Sequence, residues 1–168
     1  MDRRVFLAQG LILTLSACAT TSAPQLGSDG KPLPRVYRIT DEREVSFRFL
    51  DAMNTLRSAK SLPQVTFDAN LTAAAATHSR DMSVQNRPWH FGSDGSSLLV
   101  RAQRAGYPGR VLGENISETY ETELETLSSW MADPNTRVVI MDPLATRLGF
   151  AWFQEPGGKI WWTMVTGA

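Results

Sequence analysis

Two runs near the C-terminal end, Leu148 to Glu155 and Ile160 to Thr166, are apolar on both of their alternating faces. Successive side chains of an extended chain point to opposite sides. Phe150 and Trp152 would therefore emerge on one face and Ala151 and Phe153 on the other, and each face needs cover. Pro156-Gly157-Gly158-Lys159 between the runs has turn chemistry and predicts an antiparallel hairpin. Val111 to Ser117 is the expected third strand. A sheet buried on both sides must lie between two layers of helix, which excludes a half-solvated β-meander.

The rest of the chain supplies those layers. Asp41 followed by Glu44 marks a helix start, and Val45, Phe49, Met53 and Leu56 recur at helical spacing up to about Lys60. After Leu62-Pro63 the chain restarts at Asp68, and Leu71, Ala75, His78 and Met82 line one face of an alanine-rich helix to about Asn86. A third helix is expected over Ser96 to Ala105, with Leu98, Leu99 and Ala102 inward and Gly106 as its stop. A fourth places Leu124, Leu127, Trp130 and Met131 on one side before Asp133-Pro134. The predicted fold class is α+β: a three-layer α/β/α sandwich with a small, mostly antiparallel sheet between helices. A folded body of roughly 150 residues buries about two-thirds of its unfolded surface, so neither disulfides nor a metal are required to hold it. Seventeen basic residues offset seventeen acidic ones, and this even mixture leaves no footprint for nucleic acid.

The first segment reads as an export signal. Arg3 and Arg4 precede the mostly apolar stretch Val5 to Leu15, which is too short to span a bilayer as a mature helix. Leu15-Ser16-Ala17-Cys18 resembles the bacterial lipoprotein box, implying cleavage before Cys18, acylation of its thiol and partnership with the membrane through that lipid. The alternative is a conventional secretory signal cut at Ala17 or just beyond. Arg3-Arg4-Val5-Phe6-Leu7 also resembles the twin-arginine export motif, so the export route stays open. Residues 18–34 read as the acylated cysteine and a flexible tether, whose roughly 16 residues would reach about 20 to 25 Å. Residues 35–168 form the expected domain. Ala19 after the cysteine resembles lipoproteins sent onward to an outer membrane, where the domain would face the periplasm.

A set of motifs in fixed order suggests a family: Ala76-Thr77-His78-Ser79-Arg80-Asp81-Met82, Trp89-His90-Phe91, Arg104-Ala105-Gly106-Tyr107, Gly113-Glu114-Asn115-Ile116, Trp130-Met131-Ala132-Asp133-Pro134 and Trp161-Trp162. Together they resemble the bacterial SCP-like branch of the CAP superfamily, over about residues 43 to 166. The resemblance implies an α/β/α sandwich with a surface cleft, which in many members carries two histidines and one or two acidic residues able to hold a divalent cation.

Carried over residue by residue, His90 matches the first cleft histidine, and Glu114, followed by Asn115, the acidic residue of the Gly-Glu-Asn strand. The second histidine is missing. Thr136 stands in its place, and Val139 replaces the asparagine that bacterial relatives carry three residues later. Asp133 could offer a substitute carboxylate, although before Pro134 it has the form of a helix cap. His90, Glu114 and Asp133 are thus the candidate metal ligands, one imidazole and two carboxylates that would bind zinc weakly and are too poor in oxygen for calcium. No cofactor is expected beyond a weakly held divalent cation. Glu114 between Leu112 and Ile116 needs a partner to be tolerated there, and His90 is the expected one. His78 reads as a packing histidine and the five tryptophans as sheet core. No phosphate loop, nucleophile elbow or His-Glu-x-x-His helix is present. Two functions remain: an envelope-tethered, non-enzymatic binding or scaffolding module for an unknown peptide, glycan or lipid, or a hydrolase of peptide or cell-wall substrate using His90 and Glu114, with or without a metal ion to assist. The missing histidine favours binding.

Overall fold

The computed structural model describes residues 36–168 together with Leu26, Ser28, Gly30 and Lys31. The chain divides into Met1–Arg35 and Val36–Ala168. The signal segment, Cys18 and nearly all of the tether lie outside the described residues. Within the second unit the order is α1 (Glu42–Ser58), β1 (Thr66–Phe67), α2 (Ala69–Gln85), α3 (Leu98–Arg104), β2 (Val111–Glu118), α4 (Glu123–Ala132), α5 (Pro134–Ile140), β3 (Arg147–Gln154) and β4 (Ile160–Gly167).

The hairpin forms the centre of a four-stranded sheet ordered β1-β3-β4-β2. Only β1 pairs in parallel; β3–β4 and β4–β2 are antiparallel. Alternation sorts the central strands onto two cores. Leu148, Phe150, Ile160, Trp162 and Met164 pack with Val45, Phe49 and Met53 of α1 and with Leu127, Trp130 and Ile140 from α4 and α5. Ala151 and Val165 face the other way, against Leu71 and Ala75 of α2, Ala102 of α3 and Tyr107. The α2 side is the closer contact. A Cβ on Gly149 would stand 2.3 Å from the Leu71 backbone, so only glycine lets α2 cross β3 at that height.

Helix starts follow the sequence signals. Asp41 Oδ1 accepts from the Glu44 amide at 2.9 Å, and Asp68 Oδ1 accepts from the Asn70 and Leu71 amides, each at 2.9 Å. Three local expectations are corrected. Leu99 is 55% exposed, because α3 has only seven residues and turns Arg101 and Ala102 inward instead. Leu124 is also exposed, since Glu123 is drawn inside by Arg48 Nε at 2.6 Å and the buried stripe of α4 runs Glu123, Thr126, Leu127, Trp130. Leu56 is only partly buried; the fully buried neighbour that completes the α1 stripe is Arg57. The short β1 and α5 are elements that the periodicity did not reveal, being too brief to show a period.

Candidate functional site

β2 sits at the sheet edge, and a bulge near its start decides what it presents. Val111 pairs with Gly167 but Gly113 with Thr166, so one residue is extra on this strand. An inserted residue exchanges the faces of everything that follows. Glu114 consequently lies opposite Val165, on the α2 side, and Asn115 opposite Met164, on the α5 side.

On the α2 side three elements converge on Glu114, whose side chain is 2% exposed. His90 Nδ1 donates to Oε1 at 2.9 Å across 24 positions of sequence. Arg101 Nη2 of α3 donates to Oε2 at 2.6 Å. His78 Nε2 of α2 stands 3.7 Å from Oε1. Arg101 Nη1 also binds the carbonyls of His90 and Ser96, each at 3.0 Å, so it secures the loop as well as the carboxylate.

That loop is built by local chemistry. Asn86 closes α2 in the left-handed region at φ 47° and turns the chain back. Asp81 Oδ2 and Oδ1 then accept from Ser93 N at 2.7 Å and Ser93 Oγ at 2.6 Å, clamping the returning segment to α2. Trp89 Nε1 donates to Gln85 Oε1 at 2.6 Å, and the Arg87 guanidinium covers the indole at 3.9 Å. His90 is thereby held over the strand with its side chain 58% exposed, while the side chains of His78 and Arg101 are essentially sealed.

The electrostatics follow from this packing. Burial pushes the Glu114 carboxyl up, but the His90 hydrogen bond, the nearby His78 and the Arg101 guanidinium together hold it below the usual carboxylate range. His78 is driven the other way: burial lowers its pKa, which Glu114 offsets only in part. Neither of its ring nitrogens makes a hydrogen bond of full geometry, and the Trp89 backbone, like Glu114, pulls its pKa back only in part. Near neutral pH His78 is uncharged, and Arg101 is the permanent cation of the group. An ionised carboxylate only accepts, so the proton between them sits on His90 Nδ1, and Nε2, an acceptor in the neutral ring, is directed away from Glu114.

A pH dependence follows. A histidine whose folded pKa lies below its unfolded value leaves the unfolded chain binding more protons between the two. Stability is therefore full above about pH 6.5 and declines on acidification by up to about 1.4 kcal/mol per pH unit. Glu114, with a depressed folded pKa, contributes above its unfolded value and is lost as pH falls through the folded one. Denaturation midpoints from pH 7.5 to 5 should fall for the parent and flatten in His78→Gln; an unchanged slope in that variant would assign the loss to other groups.

The candidate residues fall into two groups. His90 and Glu114 join one cluster. Asn115, Asp133 and Thr136 form a seam on the opposite face of β2: Asn115 Nδ2 donates to Thr136 O at 2.8 Å, Thr136 Oγ1 donates to Trp130 O at 2.7 Å, and Asp133 Oδ1 caps α5 by accepting from Asn135 N at 2.8 Å. A Cβ on Gly113 would come within 2.9 Å of Val139, which shows how closely α5 lies there. Two members of the Glu114 cluster were not anticipated. His78 could have been suspected from its lone polar ring on an alanine face; Arg101 carries no such signal in a helix of seven residues. Among the described residues, no group of three or more His, Cys, Asp and Glu is placed to hold a metal ion. Beside the cluster, with Arg101 in its wall, lies a cavity of about 390 Å³ between Ala73, Ala74 and Thr77 of α2 and Arg104 of α3.

Residues 50–166 match the model of the cysteine-rich secretory protein family. The chain is 25% identical over 120 residues to the uncharacterized protein YkwD of Bacillus subtilis, covering 71% of this chain and 46% of that protein. It thus spans less than half the length of that curated relative. Among solved structures, an extracellular protein containing a SCP domain from Bacillus anthracis aligns with a TM-score of 0.67 at 21% identity, over 77% of this chain and 44% of that one. An outer surface protein from Borrelia burgdorferi aligns at 0.66 with 13% identity, over 79% of this chain and 98% of that one. These likenesses establish the three-layer fold.

Proposed function

Since the chain belongs to the cysteine-rich secretory protein family, we propose that it is a non-enzymatic binding module, tethered in the cell envelope by a lipid on Cys18. The observation that carries this reading is the geometry of His90: pinned at Nδ1 by a buried carboxylate and exposed, with Nε2, an acceptor in the neutral ring, turned away from Glu114. Such a group accepts a hydrogen bond from a ligand O–H or N–H, which suits a glycan or peptide better than an acyl chain. Arg101, which secures the His90 loop, also lines a cavity with the volume of a small-ligand site. Extracellular and surface relatives support export, and no helix of the described residues is long and apolar enough to cross a membrane. The same carboxylate–imidazole pair favours one second reading, a hydrolase in which His90 Nε2 takes a proton from water.

One set of experiments separates these. The full-length protein should fractionate with membranes, with outer membranes if Ala19 is read as a forward signal, and Cys18→Ser should accumulate as unprocessed precursor. Processing and release of that variant like the parent would sink the tether. Soluble cell-wall glycan and peptide fragments should bind the parent and bind His90→Ala about threefold to tenfold more weakly, the scale of one lost hydrogen bond. Mass spectrometry of the same mixtures should show intact fragments. Cleavage that disappears in His90→Ala would replace the binding reading with the hydrolase.

A further inference from the structure

The resemblance to cation-holding relatives raises the question of what balances Glu114 in this chain. A metal ion at this carboxylate would have to share an oxygen with a donor already bound there and would meet a competing charge. Both oxygens are engaged: Oε2 by Arg101 Nη2 at 2.6 Å, Oε1 by His90 Nδ1 at 2.9 Å. The guanidinium is 4% exposed and always protonated, so it cannot yield its place by losing a proton. A dication would have to approach a buried positive charge in a weakly screening interior. His90 Nδ1 carries a proton in this arrangement and is not a ligand. The remaining carboxylate candidate, Asp133, is committed to capping α5 on the other face of the strand. The residues present do not fit a divalent cation.

We infer that Arg101 is the resident cation of this cleft, standing in for the metal ion and keeping the site closed to divalent cations. His78 Nε2 stands 3.7 Å from Oε1, beyond hydrogen-bond distance, and its charged form is disfavoured first by burial and also by the Arg101 guanidinium. Remove the guanidinium, and His78, His90 and Glu114 are left without a competing charge. As they stand the three are not placed to hold a metal ion, so a cation would have to displace the His90 Nδ1 proton and draw the two imidazoles onto the carboxylate. That donor set is the one zinc takes, with a fourth position for water. The inference does not depend on which ligand His90 binds.

Zinc titration of the metal-free protein at pH 7.5, followed by calorimetry, tests it. The parent should bind zinc no more tightly than a single exposed histidine does, and Glu114→Gln should leave that weak binding unchanged. Arg101→Met should bind zinc at least about tenfold more tightly, and the gain should vanish in Arg101→Met/His78→Ala, which lacks one of the three ligands. A parent that binds zinc in the micromolar range, with loss of binding in Glu114→Gln, overturns the inference without recourse to any Arg101 variant. So does a folded Arg101→Met that binds zinc no better than the parent. If Arg101→Met does not fold, Arg101→Gln, which keeps a donor for Glu114 while removing the charge, carries the same two outcomes.

Discussion

Arg57→Met should destabilise the domain by about 3 to 5 kcal/mol, although methionine fills nearly the same space and lies far from the cleft. Arg57 is fully buried near the end of α1, and it donates to Pro63 O at 2.8 Å, Ile140 O at 2.7 Å, Asp142 O at 3.0 Å and Ala145 O at 2.8 Å. These carbonyls belong to the turn leaving α1 and to the connection from α5 into β3. One side chain thus ties a turn six positions ahead to a connection 83 to 88 positions away in sequence. Burial lowers the pKa of Arg57, opposed by the charge of Asp142, so the guanidinium is an expensive group that persists because its donors are used. Methionine would leave buried carbonyls unpaired at about 1 to 3 kcal/mol each, less whatever entering water recovers. Lysine should recover only part of the loss, since an ammonium cannot reproduce the planar fork. Urea unfolding reads the effect directly, and a change below about 1 kcal/mol would show that the carbonyls find other partners.

Glu114→Leu should cost a comparable amount, about 3 to 5 kcal/mol, for the opposite reason: it leaves the buried Arg101 charge without its carboxylate. The double variant Glu114→Leu/Arg101→Met should then be more stable than Glu114→Leu alone, because the stranded charge has been removed as well. Unfolding of the parent, both single variants and the double variant closes the cycle. Additive effects would mean that the pair is not coupled, and the 2.6 Å contact would then not be what sustains Arg101 in the core. His90 should lose its fixed orientation in Glu114→Leu, visible as a shift of its ring resonances.

Much of the architecture was legible because it is written at short range. Asp41 and Asp68 are helix caps whose partners lie two or three residues away, and Val45, Phe49 and Met53 repeat with the period of a helix. The apolar strands Leu148 to Glu155 and Ile160 to Thr166 demanded cover on both faces, and receive it from α2 on one and α1 with α4 on the other. The motif order likewise brought His90 and Glu114 forward as neighbours. Leu99 and Leu124 were misplaced for a common reason: a polar residue beside each, Arg101 or Glu123, found an ion-pair partner far away and turned inward.

Periodicity, caps and turn residues therefore determined the elements and the layers, since each depends on a residue and its near neighbours. The composition of the cleft was decided elsewhere. Whether Glu114 meets His78 or α5 depends on one extra residue in the pairing of β2 with β4, a register that no local spacing expresses. Whether a buried carboxylate is balanced by a metal or by a guanidinium depends on where a seven-residue helix comes to rest. Hydrophobic burial acts on any apolar stripe, but a charge in the interior survives only beside its particular partner, and here that partner is supplied by the tertiary fold.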